Sequence, residues 1–262
     1  MVVYAATTQQ QYIQPAAHNE LRVLLSYLYK ACNNKQKAEA AGVPVMIDSG
    51  AHTWLHFAQG SVVDTQKKVL AKINIHEQLE KYMQDVCGNV WPDAVWVELD
   101  VYGMLGEKLL DEAHVRAKAA KAKYMRVYHP TIDRGSCETV KKWIDQGETW
   151  IGVGNDSGRV LDKFFSLTGD KVKVHGFAMT KWEMLRRYPF YSADSMSWMA
   201  GVVYGMGFTS SGQSISRDQI TKERDVWLVT PNKARYAAGM ASMKSLERAA
   251  TSLWSARGVT WK

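Results

Sequence analysis

Short runs of apolar, β-branched and aromatic residues alternate along this chain with longer segments of helical spacing. Seven runs are clear, and they occupy residues 21–27, 43–50, 94–100, 124–130, 149–156, 172–179 and 189–194. Residues 225–230 are a possible eighth. Among the intervening segments, 106–123 is rich in Ala, Leu, Glu and Lys, with apolar residues near helical spacing. Repeated alternation of strand and helix predicts a parallel sheet.

The predicted strands are almost continuously apolar, which is typical of parallel strands with both faces buried. Eight strand–helix units in 262 residues match the size of a TIM barrel, so we predict an α/β protein with a (β/α)8 barrel. A doubly wound open sheet is the alternative, but the second strand segment has no GxGxxG to support a dinucleotide fold. We expect one barrel domain over residues 1–262, with a basic C-terminal segment at 217–262.

Polar residues recur where the predicted strands end. They are Asp48, Asp100, His129, Asn155, Asp156 and Asp194, with His175 inside its run. A single aspartate at such a place is readily explained as the N-cap of the next helix. Several at successive strand ends favour a shared pocket, because the active site of a TIM barrel lies at the carboxyl ends of its strands.

Charge adds a class of partner. The chain has a formal net charge of +7, and residues 217–262 hold nine Lys or Arg against four acidic residues. Such an excess favours a polyanion such as nucleic acid. No apolar run approaches the roughly 20 residues of a membrane helix, so we expect no membrane partner.

Cysteine usage and the N-terminus indicate a cytoplasmic protein. Cys32, Cys87 and Cys137 are far apart, form no CxxC and leave an odd count, which disfavours a disulfide scaffold or structural zinc site and suits a reducing cytosol. The first residues do not have the basic and apolar parts of a secretory signal.

Five segments between Met46 and Trp198 resemble, in order and spacing, motifs of the tRNA-guanine transglycosylases. "MIDSGAHTW" resembles the family's "DSGG" segment, and "WVELDVYG" resembles "FDEC". "WIGVGND", "VHGFAMT" and "YSADSMSW" resemble "AIGGL", "MGVGTP" and "MFDCV" or "FDSA". The block that ends in "YSADSMSW" is most similar to shorter phage and bacterial relatives, which insert 7-deazaguanine bases into DNA instead of tRNA.

The resemblance implies a role for each matching residue. Asp194 would be the nucleophile, Asp48 the general acid and base, and Asp100 the carboxylate that binds the guanine edge. His129 stands where the tRNA enzymes carry a glutamine that contacts the base. The other substrate-binding positions are Ser49, Gly152, Gly154 and Gly176.

The implied partners are double-stranded DNA with a flipped guanine nucleotide and a 7-deazaguanine base such as 7-cyano-7-deazaguanine. No cofactor and no metal are implied. The tRNA enzymes carry a C-terminal zinc site, whereas this chain has no cysteine after Cys137. We therefore expect no zinc subdomain, and the basic segment is a candidate for its docking role.

The residue types suit base exchange on chemical grounds. Replacing a base at one C1′ with retained configuration needs two displacements, for which a carboxylate nucleophile is an economical solution. A second carboxyl group can protonate the departing purine and deprotonate the incoming one. Two carboxylates in one pocket push their pKa values apart, so that one stays ionised while the other holds a proton.

Three alternatives remain open. The same chemistry could act on RNA. A metal-dependent hydrolase on the same barrel could draw ligands from His52, His56, His129, His175 and Asp194. A basic barrel could also bind nucleic acid without catalysis. If the protein is a base-exchange enzyme, four aromatic residues near the strand ends could hold a flipped base: Trp54, Tyr102, Phe177 and Trp198.

Overall fold

The computed structural model describes residues 1–7, 10–60, 70–130, 132–154, 158–199, 207–208, 214–215 and 232–261. Its strands are β1 (Val2–Thr7), β2 (Arg22–Ser26), β3 (Val45–Asp48), β4 (Val95–Val97), β5 (Tyr124–Tyr128), β6 (Trp150–Val153), β7 (Lys173–Gly176), β8 (Ser192–Ser195), β9 (Gly207–Phe208) and β10 (Ser214–Ile215). Strands β1 to β8 form a closed barrel in chain order, and β9 and β10 form a separate two-stranded sheet. The predicted TIM barrel is confirmed, and the open sheet is excluded.

Strand β1 closes the barrel by pairing in parallel with both β2 and β8. The register sets Tyr4 opposite Asp194. Six of the seven predicted runs contain β2 to β7, and the run 189–194 covers β8 as far as Asp194, but no predicted run covers β1. Its "VVYAAT" contains two adjacent alanines of low strand propensity, which interrupt the apolar β-branched and aromatic pattern. The possible eighth run, 225–230, lies outside the described residues.

Helices follow the strands and cover the barrel. They are α1 (Ile13–His18), α2 (Lys35–Ala40), α3 (Ala51–Ala58), α4 (Ile75–Cys87), α5 (Tyr102–Leu105), α6 (Glu107–Ala119), α7 (Glu138–Asp145), α8 (Gly158–Thr168), α9 (Trp182–Arg187) and α10 (Asn232–Ala256). Helix α6 lies inside the predicted segment 106–123. Within the described residues, none of the helices has the length and apolar character needed to span a membrane.

Two apolar layers explain why the strands lack alternation. Inside the barrel is a cluster of Tyr4, Ala6, Leu24, Met46, Val95, Val97, Met125 and Val127. Neighbouring strand residues such as Ile47 and Trp96 point the other way and belong to the larger cluster beneath the helices. Both faces of each strand are therefore buried, as parallel barrel strands require.

The C-terminal helix α10 packs against the start of the chain. The Val3 amide donates a 2.7 Å hydrogen bond to Glu247, and Lys244 Nζ lies 2.6 Å from the same carboxylate. Trp254 Nε1 donates to the Leu185 carbonyl at 2.6 Å. Lys244 in the basic segment is thus engaged by the fold, and its side chain is only 17% exposed.

Gly176 supplies a test of how closely the barrel and helix layer are packed. A Cβ there would lie 2.8 Å from Phe190 Cε1 and 3.0 Å from Met179 Cβ. We predict that Gly176→Ala lowers the free energy of unfolding by about 1–3 kcal/mol, the usual cost of overpacking. Urea denaturation measures this change.

The matched control is Gly103→Ala, because a Cβ at Gly103 meets nothing within 4 Å. We expect the control to lose no stability, because alanine is favoured over glycine within helix α5 by about 0.5–1 kcal/mol. Equal effects of the two substitutions would contradict close packing at Gly176.

Candidate active site at the carboxyl ends of the strands

Three aspartates lie at the barrel mouth, by which we mean the carboxyl ends of β1 to β8. Asp48 is the last residue of β3, Asp194 lies near the end of β8, and Asp100 follows β4. Parallel strands in a closed barrel all end at one rim, so residues distant in sequence meet there. The negative charges of Asp100 and Asp194 both act on Asp48, which places the three carboxylates in one electrostatic environment.

Asp48 has a strongly altered acidity. Burial, together with the charges of Asp100 and Asp194, raises its pKa from 3.8 to about 7. The Gly50 amide opposes this shift by donating a hydrogen bond to Oδ2 at 3.2 Å. A carboxyl group with a pKa near 7 can both donate and accept a proton at neutral pH. Asp48 as a whole residue is half-buried at this rim.

Gly50 fixes the turn that follows Asp48. Its φ of 89° is left-handed, and a Cβ would lie 2.8 Å from Leu28 Cβ. Both features require glycine, and the turn aims the Gly50 amide back at Asp48. The "DSG" sequence is therefore explained by backbone geometry.

Asp194 is held through one of its two oxygens. His175 Nε2 and the Ala178 amide each lie 3.2 Å from Oδ1. Ala178 itself has a φ of 54°, an uncommon conformation for a residue with a Cβ. The loop after β7 therefore places a backbone N–H donor at Asp194, and the unfavourable φ of Ala178 is the conformational cost.

Asp100 is paired with His129, as expected for two predicted residues at neighbouring strand ends. His129 Nε2 hydrogen-bonds Asp100 Oδ2. Gly154 makes room for this pair, because a Cβ at Gly154 would lie 3.0 Å from the His129 ring. Asp100 is 8% exposed, so its contact with a ligand would be through a small accessible area.

Gly152 lies beneath the ring of Phe177. A Cβ at Gly152 would lie 2.6 Å from Phe177 Cε2, so the ring occupies the space of a side chain. Phe177 is half-buried, and it also contacts His175 at 4.5 Å between ring centroids. Gly152 and Gly154 thus let aromatic rings approach the end of β6.

Ser49 and Gly176 lie differently from the other predicted binding residues. The buried Ser49 hydroxyl donates to the Glu98 carbonyl at 2.9 Å. Gly176 faces Phe190 and Met179 in the outer apolar layer. Any contact of these two residues with a substrate would come from their backbone atoms.

Two of the four aromatic residues expected to hold a base are core residues. Trp54 is 1% exposed, and Trp198 is 2% exposed with its Nε1 donating to the Ala6 carbonyl. Neither has a free ring face for a ligand, so this part of the prediction is wrong. Tyr102 is half-buried and donates to Glu98 at 2.7 Å, which leaves Phe177 as the best-placed ring.

Glu98 is a buried carboxylate that the sequence analysis missed. Its Oε2 accepts hydrogen bonds from the Tyr102 hydroxyl and from the Val127 amide at 3.0 Å. The fully buried Arg126 places Nε 3.4 Å from Glu98 Oε1 and Nη2 2.5 Å from Asp111. Burial raises the pKa of Glu98, and the charge of Arg126 opposes that rise. The available signal was a charged residue within the otherwise apolar "VWVELD".

Histidines at the mouth do not collect into a metal site within the described part of the chain. The ring centroids of His52 and His56 lie 4.3 Å apart. The pKa of His52 is lowered mainly by burial and, to a smaller extent, by the charge of His56. No group of three or more His, Cys, Asp or Glu among the described residues could hold a metal ion. Asn155 and Asp156 lie outside the described residues.

Comparison with known proteins gave no relative: no family model, no curated protein and no solved structure matches this chain.

The altered acidity of Asp48 predicts a pH-dependent stability. Its pKa is about 7 in the folded protein and near 3.8 in the unfolded chain, so its contribution is fully favourable below pH 4 and is lost as the pH rises through 7. Asp48→Asn mimics the protonated form and should escape this loss. We expect the melting temperature of the variant, relative to that of the wild type, to be higher at pH 8 than at pH 4 by more than about 2 °C.

Asp93→Asn is the matched control, because the Asp93 side chain is 95% exposed. Its melting temperature should follow the wild type across the pH range. If the melting temperature of Asp48→Asn also followed that of the wild type across the pH range, Asp48 would have its ordinary pKa and the prediction would be contradicted.

Proposed function

We propose that this chain is a pentosyltransferase that replaces guanine in DNA with a 7-deazaguanine base through a covalent glycosyl–Asp194 intermediate. The observation that carries the proposal is the difference between two aspartates at one mouth. Asp48 has a pKa of about 7 and can hold a proton, whereas Asp194 is oriented by two donors to one oxygen. These are the two environments that base exchange needs.

In the first displacement a carboxylate oxygen of Asp194 attacks C1′ of the guanine nucleotide. The C1′–N9 bond breaks, an ester forms between C1′ and Asp194, and the proton of Asp48 passes to the departing guanine. In the second displacement Asp48 takes the N9 proton of the incoming base, N9 attacks C1′, and the ester breaks. Two inversions restore the original configuration.

Asp100 and His129 are the candidates for base recognition. A carboxylate accepts hydrogen bonds from N1–H and the exocyclic amine of a guanine-like ring. The imidazole of His129 contacts Asp100, so it can orient that carboxylate or meet the base itself. Phe177 supplies a half-buried ring beside His175 and over Gly152, on which a base could stack.

The resemblance to enzymes that modify DNA and the net charge of +7 support DNA as the polymer. Base exchange in RNA is the alternative with the same chemistry. The assay therefore includes an RNA oligonucleotide of matched sequence. The metal-dependent alternative finds no ligand cluster in the described residues.

Asp194→Ala tests the nucleophile. We expect it to abolish exchange of labelled guanine or 7-cyano-7-deazaguanine into duplex DNA, and to abolish the covalent adduct with a guanine-containing oligonucleotide. Denaturing gels and intact mass measure the adduct, which should carry the strand without its guanine base. Asp194→Asn should retain DNA binding.

Asp93→Asn is again the control and should exchange bases at the wild-type rate. An adduct that persists in Asp194→Ala but disappears in Asp48→Asn or Asp100→Asn would move the nucleophile to another residue. Wild-type protein that binds DNA but never exchanges a base would favour the non-catalytic alternative.

The basic C-terminal segment carries a separate prediction about DNA binding. The sequence points to Lys233, Arg235, Lys244 and Arg248, but Lys244 lies against Glu247, and Arg248 approaches Glu20 at 4.0 Å. The side chains of Lys233 and Arg235 lie outside the described residues. Reversal of Lys233 and Arg235 leaves the Lys244–Glu247 and Arg248–Glu20 pairs intact, so a loss of binding would not come from breaking those pairs. We expect Lys233→Glu with Arg235→Glu to weaken DNA binding and to lower the salt slope by about 2, roughly 0.9 for each phosphate contact.

The control reverses Lys108, with its side chain 93% exposed, and Lys123, with 55% exposed, which gives the same change in net charge. An equal loss of DNA binding in both double variants would show that binding depends on the net charge of the protein and not on Lys233 and Arg235. An unchanged salt slope would remove Lys233 and Arg235 from the binding surface.

A further inference from the structure

His175 lies inside the barrel directly beneath Asp194. Its side chain is fully buried, and it faces Ser192 across the β7–β8 pairing. Nδ1 lies 2.8 Å from Ser192 Oγ, and Nε2 lies 3.2 Å from Asp194 Oδ1. The three side chains form a chain of hydrogen bonds from the barrel interior to the mouth.

The hydroxyl of Ser192 determines which imidazole nitrogen carries the proton. Ser192 is fully buried, and within the described part of the chain its hydroxyl has His175 Nδ1 as its partner. A buried hydroxyl that accepted from Nδ1–H would leave its own proton without an acceptor, which is costly. Ser192 therefore donates to Nδ1, and Nε2–H donates to Asp194 Oδ1.

The ring has little freedom to leave this position. Tyr4 approaches it edge-on at 5.8 Å between centroids, and Phe177 does so at 4.5 Å. The Ala178 amide donates to the same Oδ1 of Asp194. The left-handed backbone at Ala178, which is unfavourable in a residue with a Cβ, is explained if this amide must point at Asp194.

We propose that His175, locked by Ser192 in its Nε2–H form, is a positioning residue that holds Oδ1 of Asp194 and leaves Oδ2 as the attacking oxygen. The proposal rests on the proposed function, since it names the atom of Asp194 that forms the ester. Oδ2 of Asp194 has no hydrogen-bond donor among the described residues, whereas Oδ1 has two. A carboxylate held in this way presents one lone-pair direction to C1′ and does not rotate during the reaction.

The same three residue types form the triad of serine hydrolases, but the arrangement here is the reverse. Ser192 is fully buried at the inner end, while Asp194 is at the mouth and 7% exposed. A nucleophile has to reach its substrate, so Ser192 cannot take that role. The carboxylate is the reactive end of this chain, and the serine is its anchor.

Three variants separate positioning from packing. His175→Gln retains an N–H donor for Asp194 and an acceptor for Ser192, whereas His175→Leu has neither. We expect His175→Leu to lower kcat about 100-fold, the effect of a misplaced reacting group, with KM little changed. His175→Gln should recover at least about tenfold of that loss, and Ser192→Ala should fall between the wild type and His175→Leu because the tautomer is no longer fixed.

A spectroscopic measurement on the folded protein tests the proton position without substrate. In protein labelled with ¹⁵N-histidine, the His175 signals are identified among the seven histidines by their loss in His175→Gln. We expect Nε2 to be protonated and Nδ1 to be unprotonated in the wild type, and a mixture of tautomers in Ser192→Ala. An Nδ1–H tautomer or an imidazolium in the wild type would overturn the proposal.

The two experiments distinguish this inference from the proposed reaction. Active wild-type protein with an Nδ1–H tautomer would overturn the role of His175 and keep the reaction. Wild-type protein with the Nε2–H tautomer but without exchange or adduct would overturn Oδ2 as a nucleophile. Equal kcat values for His175→Leu and His175→Gln, both folded, would reduce His175 to a packing residue.

Discussion

Eight parallel strands closed into one barrel must all end at the same rim, and this constraint determines the rest of the molecule. Closure depends on the pairing of β1 with β8, which joins the first residues of the chain to the segment around Asp194. Once the sheet is closed, the aspartates at three strand ends face one another. The fold therefore assembles negative charge at the mouth, where a protein of ordinary stability can tolerate it only with compensating interactions.

Each of the three carboxyl groups has different hydrogen-bond partners, and these partners distinguish the three aspartates. Asp100 has a histidine partner, and Asp194 has a histidine and a backbone amide. The Gly50 amide donates to Asp48, and burial with two neighbouring charges raises the pKa of Asp48 to about 7. Three residues of one type thus acquire different hydrogen-bond partners, and at Asp48 a raised pKa, through their surroundings, and these differences support the proposed division of roles.

Much of this arrangement could be predicted from the sequence, because strand ends in a parallel barrel converge whatever their order. The apolar runs located β2 to β8, and the polar residues that end them predicted Asp48, Asp100, His129 and Asp194 at one mouth. Strand β1 was missed because two alanines weaken its pattern and tertiary pairing stabilises it. Hydrogen-bond partners such as Ser192 with His175, or Glu98 with Tyr102, depend on side-chain directions across different strands, which a one-dimensional pattern does not specify. The same limit explains Trp54 and Trp198, which lie near strand ends in sequence but turn into the core.

The division of roles at the mouth is tested most directly by the titration of Asp48 itself. The ¹³C chemical shift of its carboxyl carbon, identified by its loss in Asp48→Asn, reports the proton on that group. We expect a midpoint near pH 7 in the wild type, and a lower midpoint in Asp194→Asn, because the charge of Asp194 contributes to the shift. A midpoint near the ordinary value of 3.8 that does not respond to Asp194→Asn would contradict the assignment of Asp48 as the proton carrier.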